Sequence, residues 1–440
     1  MVDRNARALP GPLKRSLRHE EWAERKPWLV PLLYVALAAA LGLRGPELGS
    51  RLLGPLVSPI GSGGAIALLS AIASGMMAFT GIVFSLVFVA LQFGSSSYSP
   101  RLLRVLPARR LLWHAMGVFA GTFLYALLAI RAADLAGREG INAVAVWVGL
   151  TWLVASIVLL AFLVPAVQGL SIARVLPLLG RRGAEAVGRV YPRPFDPRRP
   201  PRLVLEPGRA RRLVRNEGRP GYLAAIDEVG LVEAAREAGG ALLIQHAIGD
   251  YLAHGEPLAL AVGGRPEIAA SRAGRCLLVA SDRLIETDPA YALRLLVDAA
   301  IRALSPAIND PTTAVMVLDQ IEPLLRSLGA ADLEVGRVCD AEGTLRLVYP
   351  TSSWEDLLLL GLAEIQQYGR DSIAVERRLG ALLESLGPWL PEPRRGALRR
   401  FAARRRERIR EAFGGSGSAA EAEQADRQGL GHGERRADSP

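Results

Sequence analysis

Residues 60–93 read IGSGGAIALLSAIASGMMAFTGIVFSLVFVALQF, a run without one formal charge in a chain that carries 53 basic and 43 acidic residues. The hydrocarbon core of a bilayer is about 30 Å thick, and roughly 20 helical residues span it. The run therefore crosses a membrane with length to spare. Small and polar residues follow one another along it: Ser70, Ser74, Gly81, Ser85 and Gln92. At 3.6 residues per turn they stay within about one-sixth of a turn on one helix face. In lipid, such a face either packs closely on another helix or lines a water path in a symmetric oligomer. The sequence leaves both open.

Working outward, the apolar segments 28–43, 111–130 and 141–164 predict three more spans, giving a four-helix transmembrane domain over residues 27–167. Arginine and lysine set the orientation, because cytoplasmic loops carry them in excess. Lys14, Arg15, Arg18, Arg25 and Lys26 precede the first span. Arg101, Arg104, Arg109 and Arg110 follow the second, and Arg174, Arg181, Arg182 and Arg189 follow the fourth. The other two connections are poorer and contain Glu47, Asp134 and Glu139. Both termini and the C-terminal half are expected in the cytoplasm, with residues 1–26 as a basic N-terminal stretch. No span has a charge at its centre, which disfavours coupled transport; a passive pore stays open. The end of the second span, Ser97-Tyr98-Ser99-Pro100 with Arg101 and Arg104, meets the cytoplasmic face. There, hydroxyls satisfy freed carbonyls, proline stops the helix, and the arginines have anionic lipid headgroups as expected partners.

The formal charge of +10 raises nucleic acid as a partner, but membrane-flanking arginines explain it and none is expected. Lys14 and Lys26 are the only lysines, so the C-terminal half has no Walker, Schiff-base or carrier lysine. Cys276 and Cys339 stand alone, and His19, His114, His246, His254 and His432 are scattered. This pattern gives no metal, no cofactor and no catalytic constellation.

Beyond the spans, residues 168–201 read as a short helical connector and a proline-rich linker. Residues 202–287 read as a small β-rich subdomain, with strands at 203–205, 221–226, 241–246, 251–252 and 258–262 and a helix at 231–238. That spacing resembles half of a small barrel-sandwich. Residues 288–413 read as mainly helical, so the cytoplasmic region is α+β. Asp288-Pro289 is an N-cap followed by proline at the first helical position. Ser305-Pro306 ends that helix, and Asn309-Asp310-Pro311-Thr312-Thr313 starts another, making a helical hairpin with a polar bend. Arg294, Asp298, Arg302, Asp319 and Glu322 either pair across the hairpin or coat a solvated face; an anion site at the bend is the sharper alternative. Ser352 to Glu355 reads as a capping box. The basic segment 394–410 is helical and expected near the membrane surface, and residues 414–440 are expected to be disordered.

These motifs resemble the domain of unknown function 2254 family of bacterial membrane proteins. Gly81-Ile-Val-Phe-Ser-Leu with Ala90-Leu-Gln92 and the Ser97 to Arg104 segment resembles one signature. Asp288-Pro289 with the run from Arg302 to Val315 resembles a second, and Gly221-Tyr-Leu with Gly249-Asp250 and Gly255-Glu-Pro-Leu258 a third. The family pattern places an arginine–threonine pair before Asp288, where this chain reads Arg283-Leu-Ile-Glu-Thr287. The resemblance implies a multi-pass protein of the bacterial cytoplasmic (inner) membrane and assigns no reaction. Three readings of function follow: an oligomeric pore or pore regulator with a cytoplasmic sensing domain, a non-conducting scaffold or sensor, and, last, a membrane-bound enzyme. A homo-oligomer is expected.

Overall fold

The computed structural model describes residues 27–53, 59–60, 62–97, 108–136, 141–168, 171–198, 211–414 and 418–430. They fall into two compact units that meet at residues 171 and 172 of the chain.

The first unit contains helices α1 (Leu29–Leu53), α2 (Ser62–Ser97), α3 (Ala108–Ala136) and α4 (Ala143–Gln168). A two-residue antiparallel ladder joins β1 (Pro59–Ile60) to β2 (Ile141–Asn142). Helix α3 is central and packs on the other three. Its polar groups bind within the bundle: Tyr125 donates its hydroxyl to the Ala145 carbonyl at 2.7 Å, and Thr122 and Ser156 share a 2.9 Å bond. Three segments are long and apolar enough to cross a membrane: Gly63–Ser85, Leu111–Ala132 and Ala143–Ala166. The first expected span corresponds to the shorter apolar segment Leu29–Arg44.

The second unit begins with α5 (Ile172–Val190). The sequence suggests a connector here, but the helix is strongly amphipathic and buries Leu176, Leu179, Gly183 and Val187. It packs on α8 (Pro289–Ala303) and α9 (Pro311–Ala330).

Two sheets follow. The first is ordered β3 (Arg211–Arg215), β7 (Pro257–Val262), β5 (Ala241–Ile244), β10 (Leu345–Val348) and β9 (Arg337–Cys339). The second is β6 (Tyr251–Leu252), β4 (Gly221–Ile226) and β8 (Leu277–Ala280). Among the described strands, β5 and β10 alone pair in parallel. Helices α6 (Glu228–Glu237) and α7 (Pro266–Cys276) pack on the strands over a core of Leu223, Leu231, Val232, Leu242, Ala259 and Leu347. This corrects the barrel-sandwich likeness: helices are interleaved with the strands, and one sheet draws β9 and β10 from beyond residue 288. The strand expected at 203–205 lies outside the described residues.

The remaining helices are α10 (Trp354–Tyr368), α11 (Ile373–Leu386), α12 (Glu392–Phe413) and α13 (Ser418–Glu423). The capping box at α10 sits one residue later than the sequence suggests, on Ser353 and Asp356. Both pairs offer hydroxyl and carboxylate at the right spacing; burial of Trp354 and Leu357 selects the register. In α12, Arg394 and Arg405 turn inward; Arg394 donates to the Leu328 and Gly329 carbonyls at the end of α9. Residues 418–430 are ordered, contrary to expectation, with Ala422 fully buried.

The place of α5 in this unit is testable. A Cβ at Gly183 would lie 2.9 Å from Ala292 and 3.1 Å from Leu324, whereas nothing lies within 4 Å at Gly188. Gly183→Leu is expected to destabilise the unit by about 1–3 kcal/mol through overpacking, and Gly188→Ala to be neutral or stabilising. Denaturant titrations of the two variants compare them; equal midpoints would remove α5 from the packed core.

Candidate functional site

Asp288 caps α8, its Oδ1 accepting the Tyr291 N–H at 3.3 Å. Its Oδ2 accepts two bonds from Arg283, from Nε at 2.9 Å and Nη2 at 2.7 Å. The guanidinium also lies 5.0 Å from the Tyr291 ring centre, a cation–π distance. The carboxylate is buried, and burial raises its pKa while the Arg283 charge pulls it back down.

Gly249 closes another side. A Cβ there would stand 2.7 Å from Asp288 Oδ2 and 2.8 Å from Arg283 Nε, and its φ is +98°. Space and backbone both demand glycine. Its N–H donates to the Leu223 carbonyl, the Leu223 N–H donates to the Asp250 carbonyl, each at 2.8 Å, and the Thr287 hydroxyl donates to the Ala224 carbonyl at 2.5 Å. Gly221-Tyr-Leu, Gly249-Asp250 and Asp288-Pro289, far apart in sequence, thus meet around one ion pair whose carboxylate is buried and whose arginine is partly exposed. Arg283 and Thr287 both take part. An adjoining cavity of about 40 Å³ is lined by Ala247, Thr287, Asp288 and Tyr349, room on the order of a water or two.

The Arg302–Thr313 motif forms a separate feature at the other end of α8, which at 1.5 Å per residue is roughly 22 Å long. Ser305 donates its hydroxyl to the Arg302 carbonyl, and Asn309 takes a φ of +48°. Asp310 accepts the Thr313 N–H at 3.0 Å and the Thr313 hydroxyl at 2.5 Å. The carboxylate therefore holds an amide that an anion would otherwise use. Pro306, Ile308, Asn309 and Thr312 are exposed, while Pro311 is half-buried. The hairpin charges pair outward, to other helices. Arg294 binds Glu364 on α10 as well as Asp298; Arg378 on α11 binds Asp319 and Glu322, each at 2.7 Å. Glu322 is held below the usual carboxylate range by Ser385 and Arg378, which outweigh the opposing effect of burial.

In the first unit, the buried side of α2 is Ala65, Leu69, Ile72, Ala73, Met76 and Val83. Ser70, Ser74, Gly81 and Ser85 are exposed, centred roughly 150° round the helix from that set. The stripe thus takes no part in the contacts of its own bundle. Ser74 donates its hydroxyl to the Ser70 carbonyl at 2.7 Å. The side chains of Gln92 and Ser97 lie outside the described residues, as do Tyr98, Ser99, Pro100, Arg101 and Arg104 altogether. A cavity of about 550 Å³ between β3 and α7 is lined by Arg212, Arg215, Glu267 and Arg275; with both signs of charge it selects no ligand class. Among the described residues, no group of three or more His, Cys, Asp or Glu side chains is placed to hold a metal ion.

Sequence reasoning missed Arg283 and Gly249 as partners of Asp288, and Arg378 as the clamp on α9. A glycine before Asp250 signals a turn, but the acid that an arginine will meet is a property of the tertiary fold.

Apolar helices long enough to cross a membrane, followed by an α+β unit, are the build of a membrane protein. The family described as "Predicted membrane protein (DUF2254)" matches residues 24–385, and the chain belongs to that family. Uncharacterized proteins of Mycobacterium bovis and Mycobacterium tuberculosis are each 29% identical to it over 384 residues, covering 84% of this chain and 73% of theirs. No solved structure matches.

Removing one partner of a buried ion pair costs about 3–5 kcal/mol, which is the loss expected for Arg283→Met at pH 8. Without the guanidinium, burial is opposed only by the backbone N–H bonds of Tyr291 and Ala290, so the folded pKa of Asp288 rises further above the unfolded value. Stability is then present at low pH and lost as pH rises through the folded pKa. Denaturant midpoints of the variant should therefore recover as pH falls from 8 to 5; a pH-independent deficit would contradict the assignment.

Proposed function

We propose that this protein is a homo-oligomer of the bacterial cytoplasmic membrane, assembled through the outer face of α2, with a pore or pore-regulating role and a cytoplasmic C-terminal unit that senses a ligand. In this reading the segment Leu29–Arg44 completes four spans, and the arginine distribution sets both termini in the cytoplasm. One observation carries it: Ser70, Ser74, Gly81 and Ser85 point away from their own bundle. Large apolar side chains suit contact with lipid, whereas small residues suit the close approach of another helix. Symmetry would then bring the same face of every copy to the assembly axis. A non-conducting scaffold is the second reading, favoured by the Ser74 hydroxyl, whose bond to its own helix leaves it without need of water.

Reconstitution separates the two. The native chain should be oligomeric in nanodiscs, and Ser74→Leu and Gly81→Leu should each weaken assembly by about 1–2 kcal/mol. Conductance lost in oligomers that still assemble would establish the pore; oligomers silent with and without the substitutions would establish the scaffold. A monomeric native chain would end both readings.

A further inference from the structure

The family-matched region ends at residue 385, and helices α12 and α13 are built onto it from beyond. Arg405 of α12 is 5% exposed and binds in two directions. Its Nε donates to Glu376 Oε2 at 3.0 Å, and its Nη2 donates to the carbonyls of Glu376 at 2.5 Å and Ala422 at 2.8 Å. Glu376 is on α11 and Ala422 on α13, so a single guanidinium fastens three helices. Arg377 adds a second fastening: its Nε donates to the Glu421 carbonyl at 2.6 Å, and its own carbonyl accepts the Asp426 N–H at 3.2 Å.

The acid at the centre is buried. Glu376 is 1% exposed; Gln366 on α10 faces it and helps to hold its charged form, although Glu376 Oε1 and Gln366 Nε2 stand outside good bonding geometry. Arg408 is the other cation acting on this carboxyl, and Glu423 and Glu384 act on Arg405. We infer that residues 418–430 form a latch on α11, closed by the Arg405 clasp and controlled by protonation of Glu376.

The direction follows from burial. In the closed latch, desolvation pushes the Glu376 carboxyl up to about 7 against the pull of Arg405. When the latch opens, water reaches the carboxyl and its pKa returns toward the ordinary glutamate value. The closed state thus holds the proton more tightly, and acid favours closure. As pH rises through about 7, the group must ionise at a desolvated position, and the open state gains. The span between the two pKa values limits the shift in the latch equilibrium to roughly 300-fold.

Hydrogen exchange of the full chain in nanodiscs between pH 5.5 and 8.5, corrected for intrinsic rates, reads the latch through peptides covering 418–430. Their protection should fall at least tenfold (~1.4 kcal/mol) across that range, while peptides of α11 distant from Glu376 stay protected. Glu376→Gln keeps the shape but cannot ionise, and should hold the low-pH protection throughout. Arg405→Met should lower protection at every pH. Native protection that ignores pH, or a Glu376→Gln chain that keeps the native profile, overturns the inference even if Arg405→Met fails to fold.

Discussion

Most of the C-terminal unit is organised around one buried carboxylate. Asp288 must start a helix, compensate Arg283 and tolerate the backbone of Gly249 against its own oxygen, all within one buried space. A buried charge that loses its partner is costly, so each requirement enforces the others. The strand ending near Ile226, the turn at Gly249 and the start of α8 are thereby locked in one arrangement. Helices α5, α9 and α10 then pack on α8. Two sets of motif residues, Gly221-Tyr-Leu with Gly249-Asp250 and the Asp288-Pro289 start of α8, converge here for a physical reason: they are the parts of one joint.

Local rules made much of this legible in the sequence. Asp288-Pro289 and Asp310-Pro311 announce helix starts because an acid at the N-cap and a proline at the next position suit the unpaired amides, and both caps are present. Tyr251-Leu252 and the strand before Val262 were legible from the turns that flank them. Pairing was not. The parallel contact of Leu347 with Leu242 joins residues about a hundred positions apart, and no local pattern encodes it. Composition misled at the C-terminus, where a Gly-, Ser- and charge-rich segment reads as disordered. The carbonyl of Ala422 finds a buried arginine instead, supplied by a helix whose basic residues read as lying near the membrane surface.

The membrane unit makes the complementary point. Helix α2 turns Leu69, Ile72 and Met76 into the bundle, and Ser70, Ser74, Gly81 and Ser85, together with Phe88, away from it. The pattern was visible in the sequence, but its direction was not, because hydrophobic periodicity is a weak guide where the solvent is itself hydrocarbon. Only the bundle tells which face is already used.

The smallest sheet in the molecule constrains how that bundle can move. Pro59–Ile60 and Ile141–Asn142 pair immediately before α2 and α4, so both helices set out from the same level and run in the same sense. A piston-like slide of one past the other would break the backbone bonds of that ladder. Tilting or rolling about the tied ends would not. Any rearrangement of these two helices is therefore a pivot, with its largest displacement at the ends far from the ladder.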